Sequence, residues 1–231
     1  PGAPSFKMQQ DDLLVNVSAR LGGFVPVSWN PSITTRVFLP PWEQWEQRTG
    51  SSFAFRAETQ ATFIKDSKGW SRRSMPSNEP YWPGIFIQYN CKKKGAPRDS
   101  ATLLIRADQN GHEIRGPEIT QTGWWTLGMS FTPDGMTHYY AKAGVEPLTH
   151  QDHIISSLPY GVRCERLNTF FYNVVNIDDG KTPTTAWIID DPTLHPNQFV
   201  VLRDQTNPSH SAIGRFDVRQ GAVIPLIRAA E

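Results

Sequence analysis

Apolar and polar residues alternate along much of this chain. Residues 53–63, Phe-Ala-Phe-Arg-Ala-Glu-Thr-Gln-Ala-Thr-Phe, carry the longest such run. A period of two sends one face inward and the other outward, so the segment predicts a strand. Residues 84–91 predict another, with Ile85, Ile87, Tyr89 and Cys91 on one face. Residues 101–107, 199–203 and 222–228 read the same way. The clearest hairpin lies within 124–143. Trp125, Leu127, Met129 and Phe131 share a face, Thr132-Pro133-Asp134-Gly135 turns the chain, and His138 and Tyr140 alternate against Thr137, Tyr139 and Ala141. Pro followed by Asp-Gly is strong turn chemistry. In the pair Trp124-Trp125, strand parity sends one ring inward and the other outward.

Helical spacing is confined to two short stretches. Residues 41–48, with Pro at the start and Gly50 after the end, predict two turns at most, and residues 150–158 are a weaker candidate. Residues 187–192, Trp-Ile-Ile-Asp-Asp-Pro, either end a strand or lie on an edge, because Pro cannot donate to a ladder. Many short strands without crossover helices predict an all-β fold. The expectation is an antiparallel β-sandwich or jelly roll with at most one or two short helices. Residues 1–195 are expected to form the sandwich. Residues 196–231, polar turns with two short strands, are expected to form a C-terminal hairpin or extended arm packed on the same domain.

Composition narrows the class. The 231 residues include 8 Trp, 12 Phe, 6 Tyr, 19 Pro and 17 Gly, and only 19% are charged. That excludes a disordered tail, a coiled coil and a long-helix bundle. A formal charge of +1 gives no electrostatic case for nucleic acid. No apolar run reaches the ~18 residues of a membrane helix. The start at Pro1 leads to the expectation of a secreted or cell-surface protein from which an N-terminal signal has been removed. The two cysteines, Cys91 and Cys164, sit in apolar surroundings. In an exported protein their pairing would close a loop of about 73 residues and contribute ~4 kcal/mol. The alternative is two separate thiols packed as small hydrophobes. Asn16-Val17-Ser18 fits the glycosylation acceptor pattern.

Two resemblances bear on fold and function. Residues 123–141, G-W-W-T-L-G-M-S-F-T-P-D-G-M-T-H-Y-Y-A, resemble a hairpin of concanavalin A-like lectin/glucanase sandwiches of the laminin G-like type. Residues 171–194, F-Y-N-V-V-N-I-D-D-G-K-T-P-T-T-A-W-I-I-D-D-P-T-L, resemble the closing strand of such domains. The resemblance implies two antiparallel sheets, one of them able to hold a glycan, and no particular activity. Arg56-Ala57-Glu58-Thr59-Gln60 and Tyr139-Tyr140-Ala141-Lys142-Ala143-Gly144-Val145 are faintly similar to two strand motifs of family 7 alginate lyases. Those enzymes need a Gln and a His on an intervening strand. Gln88 is present, but Tyr89 and Asn90 follow where the His belongs.

No complete catalytic constellation is visible. Glycoside hydrolysis needs two facing carboxylates, and Glu43, Glu46 and Glu58 read as solvated or lacking a partner. GxSxG, GxGxxG and phosphate-loop patterns are absent. The histidines show no HExxH spacing, and His150 and His153 read as surface groups. Asp178, Asp179, Asp190 and Asp191 supply oxygen donors suited to a structural calcium ion, which takes six to eight oxygens; turn capping and strand termination are the alternative. No other cofactor is implied. Lys92, Lys93 and Lys94 beside Arg98 read as a solvated turn, with an acidic polymer as the alternative partner.

The aromatic surplus is more informative. Sugar rings stack on Trp and Tyr. The candidate ligand-binding residues are Trp70, Tyr81, Trp82, Trp124, Tyr139 and Tyr140. Trp70, Tyr81 and Trp82 fall within 65–83, which reads as a binding loop. The expected function is non-catalytic recognition of a glycan or polysaccharide through exposed aromatics. The alternatives are a subunit that assembles with copies of itself into a filament, sheath or surface layer, and a polysaccharide lyase-like enzyme.

Overall fold

Two antiparallel sheets face one another across an aromatic-rich core. The structure is a computed structural model, and it describes residues 4–65, 75–195, 214–217 and 222–225. The strands are β1 (Met8–Val15), β2 (Val25–Pro26), β3 (Ser32–Leu39), β4 (Gly50–Lys65), β5 (Met75–Tyr81), β6 (Gly84–Asn90), β7 (Ser100–Arg106) and β8 (Glu113–Ile119). They continue as β9 (Gly123–Phe131), β10 (Thr137–Ala143), β11 (His153–Ser157), β12 (Arg166–Ile177), β13 (Ile188–His195), β14 (Gly214–Asp217) and β15 (Ala222–Pro225). The first sheet runs β1-β12-β4-β6-β7-β8, with β2 on β12 and β5 on β4. The second runs β11-β10-β9-β3-β13-β14-β15. No helix among the described residues is long and apolar enough to cross a membrane.

Period-two alternation builds the core as read from sequence. Phe53 and Phe55 on β4, Ile85, Ile87 and Tyr89 on β6, and Leu103 and Ile105 on β7 are fully buried. Leu127, Met129 and Phe131 meet them from β9. Phe55 stacks on Tyr172 at 5.6 Å and meets Phe170 edge-on at 5.9 Å. Two inward tyrosines tie the sheets together through their polar tips. Tyr172 donates to Thr35 Oγ1 at 3.0 Å, and Tyr139 donates to the carbonyl of Arg106 at 2.8 Å. A buried ring with a satisfied hydroxyl loses little on leaving water.

The hairpin of β9 and β10 forms in the expected register, with Phe131 opposite Thr137 and Trp125 opposite Ala143. Gly135 has φ +80°, and a Cβ there would lie 2.5 Å from Cβ of Arg163. Trp125 is the inward member of its pair and Trp124 the half-buried outward one.

Three local expectations are corrected. Residues 41–48 form only a 3-10 turn at Trp42–Gln44. Trp45 beyond it is drawn into the core, 5.0 Å from Tyr89 and 4.9 Å from Trp187. Residues 150–158 form a 3-10 turn at His150–Asp152 followed by β11, a strand rather than a helix. Residues 65–83 contain β5, which pairs along β4 from Lys65–Met75 to Thr59–Tyr81 as a hairpin arm. Strand β13 runs on through Pro192, and around that residue it is paired, among the described residues, with β3 alone, as an edge would be, because β14 reaches β13 only at Leu194. A bulge between Asp190 and Thr193, with Asp191 at φ +54°, lets β13 pass the missing N–H.

Among the described residues one α-helix forms, Val17–Leu21, at a place where the hydrophobic pattern predicts none. Asn16 caps it, accepting from the amide of Ala19 at 2.9 Å and from Ser18 Oγ at 3.1 Å. The glycosylation-like triplet is thus also a helix start. Of the two C-terminal expectations, residues 199–203 lie outside the described residues, and 222–228 contain β15. Strands β14 and β15 pair as a hairpin added to β13.

Candidate functional site

The outer face of the first sheet is where polar and aromatic chemistry converge. Arg56 stands mid-way along β4, opposite Phe171 on β12 and Gly84 on β6. Its guanidinium carbon lies 5.3 Å from the Phe171 ring centre and 5.4 Å from that of Phe86. The guanidinium of Arg106 sits over the same Phe86 ring at 4.7 Å. Gly84 makes this arrangement possible, because a Cβ there would come within 2.6 Å of Cγ of Arg56.

Arg106 has a carboxylate partner in Glu113, directly opposite on β8. Arg56 forms no ion pair among the described residues. Its Nη2 donates to the carbonyl of Trp82 at 3.2 Å, and its Nη1 reaches Asn173 Oδ1 at 3.5 Å. Its Nε is buried with no hydrogen-bond partner. Asn173 is held in turn by Asp12 at 2.7 Å. Burial, and secondarily the charge of Arg106, pull the Arg56 guanidinium down to about 10. A cation that is desolvated, beside another cation and short of acceptors is poised to gain from an anionic partner.

The sequence-derived aromatics do not form one platform. Trp82, 39% exposed, stands at the rim of this face, tied to Arg56 through its carbonyl. Tyr81 is 2% exposed and meets Tyr160 edge-on in the interior. Tyr139 is 0% exposed and points into the core. Neither can stack on a sugar, so both are corrected to packing roles. Trp124 and Tyr140 belong to the outer face of the other sheet. Trp124 lies edge-on against Phe38 at 5.4 Å, and Tyr140, nearly buried, against His153 at 5.2 Å. Trp70 lies outside the described residues.

The lyase-like pattern is split between sheets. Arg56 and Gln88 share the outer face of the first sheet, whereas Tyr139 lies in the second and faces inward. Tyr89 is also buried, and Asn90 donates to Thr102 Oγ1 and Ser100 Oγ. Glu58 has a partner after all, accepting from Asn168 at 2.8 Å.

The four aspartates act in the frame of the sandwich. Asp178 accepts from the amide of Ser5. Asp179 accepts from Thr182 Oγ1 and from the amides of Thr182 and Lys181, which holds its carboxyl down at about 2. Asp191 pairs with Arg36 at 3.0 Å, with Asp190 at 4.0 Å from the same nitrogen. Among the described residues, no three His, Cys, Asp or Glu side chains gather into a metal-binding group. Cys91 and Cys164 are buried and free. Cys91 lies 3.8 Å from Gln47 Oε1, and Cys164 lies 3.8 Å from the carbonyl of Arg166, so they pack in separate places. Burial pushes the Cys164 thiol up to about 12. The Lys92–Lys94 segment is an exposed 3-10 turn, pinned by Asp99 on the amide of Lys92.

The site residues missed by sequence reading are Gly84, Phe86, Phe171 and Asn173. Only the strand periodicity marks them, and it gives their face without their neighbours.

Neither a protein-family model nor a curated protein matches the chain. Solved structures with related outlines include the calreticulin globular domain of T. cruzi. It is 9% identical with a TM-score of 0.35, over 88% of this chain and 74% of that one. An alginate lyase of Pseudomonas aeruginosa is 8% identical with a TM-score of 0.37, over 81% and 82%. Scytalido-glutamic peptidase is 7% identical with a TM-score of 0.38, over 84% and 83%. Likenesses this distant say nothing about activity.

Proposed function

We propose that this chain is a concanavalin A-like glycan-recognition domain whose first sheet binds a carboxylate-bearing polysaccharide without cleaving it. The observation that carries the reading is Arg56. A guanidinium clamped between Phe86 and Phe171, with a buried unused Nε and no carboxylate partner among the described residues, offers a fork to a planar anion. Trp82 at the rim adds an exposed ring for the sugar face. Among the described residues, no Tyr and His pair beside Arg56 and Gln88 completes the lyase pattern, so binding rather than turnover is the function proposed for this face. An exported protein would meet such polymers outside the cell.

Titration of the protein with a polyuronate and with an uncharged glucan tests the reading. The polyuronate is expected to bind at least tenfold more tightly. Trp82→Ala is expected to weaken it several-fold with little change in melting temperature. Equal affinity for both polymers would sink the proposal.

A second reading, assembly with copies of the same chain, is favoured by the edge strand β1. It closes one side of the first sheet and leaves Met8, Leu13 and Leu14 more than half exposed beside Phe6. An open edge that carries exposed apolar side chains is a template for strand addition. Sedimentation velocity of wild type against Leu13→Lys tests it. Self-association lost in the variant is expected, and a monomeric wild type at all concentrations refutes it.

A further inference from the structure

The outer face of the second sheet carries a second cluster that glycan recognition does not use. Register places Ser32, Ser130, His138 and Ser156 side by side across β3, β9, β10 and β11. Ser32, Ser130 and His138 are buried. Between Tyr139 and Tyr140 the pairing with β11 slips by one residue, so that Tyr139 faces Ile155 and Tyr140 faces His153. In a regular strand His153 and Ser156 would point to opposite faces. The irregularity turns both outward, and bulges commonly re-aim side chains in this way.

The hydrogen bonds there have one consistent direction. Thr132 Oγ1 donates to the carboxylate of Asp134, which only accepts. Its oxygen is thereby placed to accept from His138 Nε2, 2.9 Å away, which assigns the imidazole proton to that nitrogen. The other ring nitrogen, Nδ1, is then bare and lies 2.6 Å from Ser156 Oγ. Ser156 thus donates to His138. Its oxygen accepts in turn from Nε2–H of exposed His153, at 2.8 Å. When the His138 ring is neutral, a hydroxyl facing the bare nitrogen of an imidazole held from behind is the arrangement that activates a serine. Ser156 is half-buried, and His153 beside it is exposed.

We propose that Ser156 is an activated nucleophile for acyl transfer from small esters. His138 is its general base, Thr132 and Asp134 are positioning residues, and His153 is the donor nearest to the developing negative charge. Ser156 Oγ bonds to the ester carbonyl carbon, and its proton passes to His138 Nδ1. Collapse breaks the bond to the alcohol, which takes that proton. Water then splits the Oγ–acyl bond, releasing the acid and restoring the serine.

The test is labelling with a fluorophosphonate probe, read by intact mass and peptide mapping, with 4-nitrophenyl acetate as the turnover substrate. One adduct on Ser156 is expected, absent in Ser156→Ala. Thr132→Val is expected to slow labelling at least tenfold while melting like wild type. Nitrogen NMR shifts of wild-type His138 give a readout independent of any variant's folding, and protonation on Nε2 with bare Nδ1 is expected. No adduct on Ser156 in folded wild type, equal labelling of Ser156→Ala, equal rates in Thr132→Val, or protonation on Nδ1 would each overturn the proposal.

Discussion

Replacing Arg56 by Ala is expected to lower polyuronate affinity by tenfold to a hundredfold. Hydrogen bonds to a charged group contribute roughly 1.5–3 kcal/mol, and a bidentate fork delivers two of them to one carboxylate. Fold stability should change by no more than ~1 kcal/mol. The guanidinium is a poorly satisfied cation, so its loss offsets part of the stem packing lost over Phe86 and Phe171. Arg56→Lys keeps the charge and loses the fork, and should recover only a minor part of the affinity. Gly84→Ala leaves every polar group in place but puts a methyl where the Arg56 stem lies. It should weaken binding nearly as much. The measurement is isothermal titration at two ionic strengths, with melting curves beside it. Unchanged binding in both Arg56→Ala and Gly84→Ala would remove the outer face of the first sheet from consideration.

The largest loss of stability is expected at Glu46. Sequence reading placed this residue on a solvated helix, yet its side chain is 1% exposed. It pairs with Arg48 at 2.7 Å and accepts from the amide of Ile177 at 2.6 Å. Its own amide donates to Thr185 Oγ1. Arg48 goes on to the carbonyls of Ser51 and Val175, each at 2.7 Å. The pair therefore fastens the loop after β3 to the ends of β4 and β12. Removing one member of a buried pair strands the other and costs ~3–5 kcal/mol. At this chain length, with about 2–4 °C per kcal/mol, that lowers the melting temperature by about 6–20 °C. Glu46→Ala and Arg48→Ala should each show it, and Glu46→Leu with Arg48→Met should recover part. Calorimetry decides, and a shift under ~2 °C for both single variants contradicts the role.

The strands were legible because their signal is local. Alternation over residues 53–63, 84–91 and 124–143 is a property of neighbours along the chain, and one buried face suffices to fix it. Helix expectations failed where burial overrode local spacing. Trp45 is worth more in the core, between Tyr89 and Trp187, than on an exposed second turn. The aromatic candidates show the same limit. Parity sorted Trp124 from Trp125. It could not say that Tyr139, on the inner side of its strand, would be sealed by a facing sheet.

The sequence by itself determined an all-β antiparallel sandwich, the β9–β10 hairpin and most of the core, since period and turn chemistry are set within a few residues. Tertiary structure alone decided the chemistry. Arg56 meets Phe171 and Gly84 only through cross-strand register, and Ser156 meets His138 through register and His153 through an irregular pairing. Register depends on which strands become neighbours and where a ladder slips. Those choices are made by packing between segments far apart in the chain, so no local pattern records them.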